Sequence, residues 1–188
     1  MLAPAHCIAQ SLPRHTAREE PKAAVAAILL PAPPPRLLAI ERAARPGDPW
    51  AGDIAFPGGM LRPGEHPRRT AERETREETG LPPSCLEHLA LIGSYRPLNR
   101  PGLLVEAHFY LLDEECLWRW RPGPEAERIT VVHIPCSPEA RPILHPRRGI
   151  VVSAYKDWLG NTIWGMTLRI LDAVSRAVRS CWPCASSK

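Results

Sequence analysis

The stretch from Gly58 to Leu81, GGMLRPGEHPRRTAERETREETGL, places five glutamates and five arginines between Arg62 and Glu78. Its punctuation predicts a helix over 67–79. Pro67 suits the first helical turn, where its missing N–H costs little. Gly80 suits the C-terminal cap, and Pro82-Pro83 prevents continuation. On such a helix Glu74, Glu77 and Glu78 stand at i, i+3 and i+4 and share one face. Like charges at that spacing repel by about a few tenths of a kcal/mol per pair. One way to neutralise them is a solvated helix laced with ion pairs, such as Arg73 with Glu77. The other is a divalent cation. Mg²⁺ takes hard oxygen ligands, typically one or two carboxylates with waters and substrate phosphates. The turn at Gly58-Gly59 offers carbonyls as further ligands, and the loop 60–66 can lay Glu65 beside the helix face.

The rest of the chain reads as mostly strand. KAAVAAILL (22–30) and RLLAIERA (36–43) are apolar, strand-length runs joined by PAPPP, which predicts a hairpin. GDIAFPGG (52–59) reads as a short strand. Further strands are expected at 88–95, 103–112, 128–135 and 149–155. Over 163–180, Ile163, Met166, Ile170, Val174 and Val178 recur every three or four residues, the pattern of an amphipathic helix packed on a sheet. Many strands with two principal helices indicate an α/β (α+β) class with a mixed sheet between helices.

The chain has 188 residues, which suits one domain around a single core. Residues 1–20 read as a polar arm or short helix, 21–180 as the domain and 181–188 as a tail. Net charge is +4, and no basic run argues for nucleic acid. No run is long enough to span a bilayer, and the first twenty residues lack a signal peptide's pattern, so a cytoplasmic protein is expected. The 23 prolines suggest rigid loops. Cys181 and Cys184 form a CxxC without a second pair, which argues against a four-ligand zinc site and reads as a reduced or incidental pair. His108 and His133, inside strands, read as packed histidines. Trp50 and Trp164 read as core or sheet-edge aromatics before they read as stacking platforms.

The spacing of Gly59, Glu65, Arg73-Glu74, Glu77-Glu78, Gly80 and Leu81 resembles the signature of the Nudix hydrolases; Thr75 stands where that family usually has an aliphatic residue. The resemblance implies an α/β/α sandwich with a mixed central sheet, and cleavage of a diphosphate linkage in a nucleoside diphosphate derivative. It implies Mg²⁺ or Mn²⁺ at Glu74, Glu77 and Glu78, with the Gly59 carbonyl as a further ligand. Glu65 and Arg73 would support the loop and helix. The general base varies in position across the superfamily; Glu77 is the first candidate here and Glu127 the second, with Glu74 in the same catalytic group.

Flanking stretches resemble the branch that hydrolyses coenzyme A. Leu37, Leu38, Arg42, Gly52 and Phe56 to Gly59 match it, as do Ile163, Trp164, Gly165 and Thr167. Asp48 departs from it, standing where the branch has arginine. Substrate contacts are expected at Arg42, Phe56, Gly58 and Arg62; Arg45, Arg62, Arg96 and Arg100 are the candidates to compensate for the phosphate contact that Asp48 would weaken. Rival substrates are ADP-ribose, a dinucleotide or a nucleoside triphosphate; a rival class is a non-catalytic nucleotide-binding module. The expected partner is a small molecule, not nucleic acid or membrane, and the sequence allows a homodimer.

Overall fold

The strand β1 (Ala23–Leu29) is buried along its whole length. Ala23, Val25, Ala27 and Leu29 face one apolar cluster, and Ala24, Ala26 and Ile28 face another. A strand covered on both faces must be apolar throughout, which is why this run shows no polar alternation. These features come from a computed structural model that describes residues 2–13, 18–43, 50–145 and 148–181.

β1 pairs antiparallel with β2 (Arg36–Arg42), as the hairpin reading expects. Among the other strands are β3 (Ile54–Ala55), β4 (Gly58–Met60), β5 (Leu86–Tyr95), β6 (Val105–Leu112) and β7 (Ala126–His133). β6 lies parallel to β1 and carries β5 antiparallel on its other side. β2 carries β3 and β7, and β4 pairs antiparallel with β1. The seven strands form one mixed sheet. The single strand expected over 52–59 is therefore two strands on different partners. Pro57 separates them, because it has no N–H to continue a ladder.

Helix α1 (Leu2–Ser11) and helix α3 (Gly165–Cys181) pack on each other over one face of the sheet, and helix α2 (Pro67–Thr79) covers the other. This is the α/β/α sandwich expected. Of the two readings of residues 1–20, the short helix is the one found: Ala5 and Ile8 of α1, and Leu12 just after it, are buried in the same cluster as Ile170 and Val174.

A second sheet joins β8 (Arg141–Leu144), β9 (Val151–Lys156) and β10 (Thr162–Trp164) antiparallel. β8 escapes sequence reading because it is short, mostly exposed and contains Pro142. Asn161 Nδ2 donates to the Val131 carbonyl at 3.0 Å and docks this sheet on β7. Among the described residues no helix is long and apolar enough to cross a membrane.

Cys181 is not a reduced thiol. It is bonded to Cys7, with the Cα atoms 5.8 Å apart, and ties α1 to α3. Its expected neighbour Cys184 lies outside the described residues. A second disulfide joins Cys85 to Cys116. Local spacing cannot reveal a bond between residues brought together by helix packing. Cys7→Ser should lower the unfolding free energy by about 2–5 kcal/mol, as loss of a native disulfide usually does. Urea unfolding checks this; an unchanged midpoint would show that the bond is absent in solution.

Candidate active site

α2 begins and ends as its sequence dictates. The His66 side chain caps the Arg68 N–H, Pro67 opens the helix, and Gly80 closes it in the left-handed region. One helix face carries Thr70, Ala71, Thr75, Glu78 and Thr79 into the protein. A hydroxyl at Thr75 is accommodated because its Oγ1 donates to the Ala71 carbonyl at 2.7 Å. The adjoining face carries Arg73, Glu74 and Glu77.

Arg73 organises that face. Its Nε and Nη2 donate to the two carboxylate oxygens of Glu65, each at 2.9 Å. Its Nη1 reaches Glu74 at 2.5 Å and Glu77 at 3.2 Å, and its Nη2 also reaches the Met60 carbonyl at 3.1 Å. Glu65 accepts two more bonds, from Thr70 Oγ1 and the Arg62 N–H. The Arg73 fork, with these bonds, holds the Glu65 carboxyl at about 2, well below its ordinary value. Arg62 Nη2 meets Glu77 at 3.1 Å. Ion pairs of the kind the lacing alternative predicts are thus present.

They do not account for Glu78. Its side chain is fully buried; Oε2 accepts the Gly58 N–H at 2.9 Å, and Oε1 has no hydrogen-bond partner. Burial pushes this carboxyl up to about 8, against the opposing pull of the Gly58 N–H and the Arg42 charge. Burial also raises Glu74, offset in part by Arg73. A buried carboxylate oxygen without a donor is costly, and a hard cation is the partner that such an oxygen fits. Among the described residues no three His, Cys, Asp or Glu side chains stand together as a ready-made metal cage. Mg²⁺ needs none, since waters and substrate phosphates complete its shell. The unpartnered oxygen of Glu78, and the carboxylate of Glu74 against Gly59, are oxygen donors of the kind such an ion takes.

Gly58 and Gly59 lie on β4, not in the turn expected of them, with Gly58 pressed on β1 and Gly59 on Glu74. A Cβ on Gly59 would lie 2.5 Å from Glu74 Oε1, and one on Gly58 would lie 2.3 Å from the Ala24 carbonyl oxygen. Glu74 can swing aside, but the Ala24 carbonyl belongs to β1 and cannot. Gly58→Ala should therefore cost about 1–3 kcal/mol, as overpacking does, and displace the N–H that holds Glu78. Thermal melting beside a turnover assay checks this: loss of both is expected, and an unperturbed melt would show that Gly58 is not so tightly fitted.

A cleft of about 850 Å³ opens in front of this face. Of the residues expected at the site, Arg42, Phe56, Gly58, Gly59, Arg62, Glu74 and Glu77 line it, and Glu78 lies buried behind Gly58. Glu127 does not line it. Glu127, on β7, is exposed. Glu125, which sequence reasoning passed over, lines the cleft instead, and its charge acts on Glu74 and Glu78. Arg100, Trp50 and Trp164 also line the cleft, whereas Arg96 is engaged with Glu19 and the Pro101 carbonyl. Arg45 and Asp48 lie outside the described residues. His108 is buried with Nδ1 3.2 Å from His88 Nε2, and His133 packs edge-on against Trp158; neither reaches the cleft.

Residues 20–150 match the NUDIX domain family. The chain belongs to that family. A protein described as "Uncharacterized Nudix hydrolase NudL" from Yersinia pestis (strain Pestoides F) is 32% identical to this Nudix hydrolase over 169 residues, 81% of this chain and 79% of that one. Among solved structures, a MutT/nudix family protein from Enterococcus faecalis superposes with a TM-score of 0.54 at 22% identity, over 89% of this chain and 65% of the other. A NUDIX hydrolase from Nitrosomonas europaea gives 0.52 at 16% identity, over 87% and 73%. These two likenesses concern the fold. As a Nudix hydrolase the protein is an enzyme of phosphorus anhydrides, and its family generally works with divalent metal ions.

Proposed function

We propose that this Nudix hydrolase cleaves the diphosphate linkage of coenzyme A or a closely related nucleoside diphosphate derivative, using Mg²⁺ or Mn²⁺. One observation carries the reading. From the two stretches that resemble the coenzyme A branch, Arg42, Phe56, Gly58 and Gly59 on one side and Trp164 to Thr167 on the other, far apart in sequence, line one cleft with Glu74 and Glu77 of α2. The volume of that cleft is in the range of small-molecule and cofactor sites.

Glu74, Glu77 and Glu78 would hold the metal, with the Gly59 carbonyl beside them; bound there, it would neutralise the diphosphate and acidify a water. The protein's own part is positioning. Gly58 N–H fixes Oε2 of Glu78. Arg73 fixes Glu65 and holds Glu74 and Glu77 at defined places. Arg42 and Arg62 line the diphosphate end with positive charge. Water attacks one phosphorus, a new P–O bond forms, and the bridging oxygen leaves with the other phosphate. Glu77, partly open to solvent, is the first candidate to take the water's proton. Glu125 takes the second place that Glu127 held on sequence grounds. The reading keeps the enzyme in the cytoplasm. Disulfides there are a habit of hyperthermophile proteins, and the abundance of proline agrees.

A panel of coenzyme A, ADP-ribose, a dinucleotide and a nucleoside triphosphate, with products identified by mass, tests the proposal. The expected products of coenzyme A are 4′-phosphopantetheine and adenosine 3′,5′-bisphosphate. Rapid turnover of ADP-ribose with none of coenzyme A would reject the substrate assignment.

A further inference from the structure

Away from α2, the cleft has a wall built by three segments that share no motif. The hairpin between β8 and β9 brings His145 and Arg148. The approach to β3 brings Asp53, and the end of β10 brings Trp164. Asp53 is buried; its Oδ1 lies 3.1 Å from His145 Nε2, and its Oδ2 accepts from Arg148 Nη2 at 2.7 Å. The Arg148 guanidinium lies over the Trp164 ring, 5.1 Å from its centre, and the His145 ring meets Trp164 edge-on at 5.3 Å. Arg148, Asp53 and Trp164 all line the cleft.

The arginine is held but not used up. One of its donors serves Asp53, while Nε is buried without a partner. The side chain is 22% exposed, so it is fixed in place yet open to the cleft. Asp53 offsets the charge of Arg148, and His145 adds no negative charge. The group is therefore neutral or positive, unlike the α2 face, where Glu65, Glu74 and Glu77 surround Arg73. A stacked, carboxylate-braced guanidinium is a preorganised fork for phosphate oxygens.

We propose that Arg148, braced by Asp53 and stacked on Trp164, recognises a phosphomonoester on the substrate outside the scissile diphosphate. This deepens the proposed function and rests on its diphosphate substrate. It makes Arg148 a specificity residue that separates substrates bearing the extra phosphate from those lacking it. Arg100 is the competing candidate. It lies 4.8 Å over Trp50 in the same cleft, but it is exposed, and among the described residues no carboxylate braces it.

The test compares coenzyme A with dephospho-coenzyme A, which differ by one phosphomonoester. Wild-type enzyme should prefer coenzyme A, and Arg148→Ala should cut the ratio of the two kcat/KM values roughly 10–100-fold, the range of a lost charged hydrogen bond. Arg148→Lys keeps a charge beside Asp53, guards against misfolding, and should give a smaller loss. Arg100→Ala should keep the ratio. An unchanged ratio in Arg148→Ala, an equal loss for both substrates, or a collapse of the ratio in Arg100→Ala instead would overturn the proposal. A binding arm works without turnover. By calorimetry, the wild type should bind adenosine 3′,5′-bisphosphate more tightly than adenosine 5′-monophosphate, and Arg148→Ala should erase the difference. Equal binding by the wild type overturns the inference. If neither coenzyme is hydrolysed while this difference holds, the proposed reaction fails and the phosphomonoester site stands.

Discussion

Glu78→Gln is expected to lower turnover by about 10²–10³-fold or more, the scale set by losing one preorganised electrostatic group at a reacting phosphate. The metal-free protein should be no less stable for it. The change keeps the volume and an oxygen for the Gly58 N–H, and it deletes a charge that burial disfavours. The pH dependence separates this from simple damage. The folded-state pKa of Glu78 is raised from 4.5 to about 8, so its contribution is fully present below about 4.5 and is lost as pH rises through about 8. Metal-free wild type should weaken over that window, and the glutamine variant should lack this part of the slope. Undiminished turnover in Glu78→Gln would show that chemistry happens elsewhere.

Arg73→Ala should have the largest effect on stability. The side chain is only 12% exposed, and it partners Glu65, Glu74, Glu77 and the Met60 carbonyl. Removing it leaves two part-buried carboxylates without their cation. Loss of one partner from a buried pair costs about 3–5 kcal/mol. For a chain of this size that is a fall in melting temperature of roughly 6–20 °C. Arg73→Lys should recover only part of it, because lysine cannot fork onto both oxygens of Glu65. The acid limb gives an independent check. The folded pKa of Glu65 is depressed from 4.5 to about 2, so its contribution is complete above about 4.5 and disappears as pH falls through about 2. Wild type should therefore lose stability over that range more steeply than Arg73→Ala. Parallel curves would mean that the fork does not hold in solution.

The parts of this site legible in the sequence are those set by local rules. Pro67 and Gly80 punctuate α2 so strongly that its limits follow from composition, whereas the single face expected for Glu74, Glu77 and Glu78 divides: Glu78 is buried and the other two line the cleft. The double burial of β1 follows from its unbroken apolar run. What escaped depends on distance along the chain. Whether a glutamate near the start of β7 faces the cleft depends on where the strand begins: Glu125, just before it, lines the cleft, and Glu127, on it, is exposed. Asp53 meets His145 and Arg148 across separations of 92 and 95 residues, through a hairpin whose strand β8 carries no sequence signal. Cys7 and Cys181 meet across 174. The branch resemblance singled out Trp164, yet only the fold shows that an arginine and a histidine pack around it.

The proposed chemistry requires an ion seated between the buried carboxylate of α2 and the strand β4 that precedes it. Crystals grown with Mn²⁺ and a non-hydrolysable diphosphate measure this directly. The expected result is an anomalous peak in contact with Glu78 and Glu74, with the diphosphate completing its shell and Arg73 still on Glu65. A well-ordered α2 with no ion against Glu78, or an ion bound only elsewhere in the fold, would contradict it.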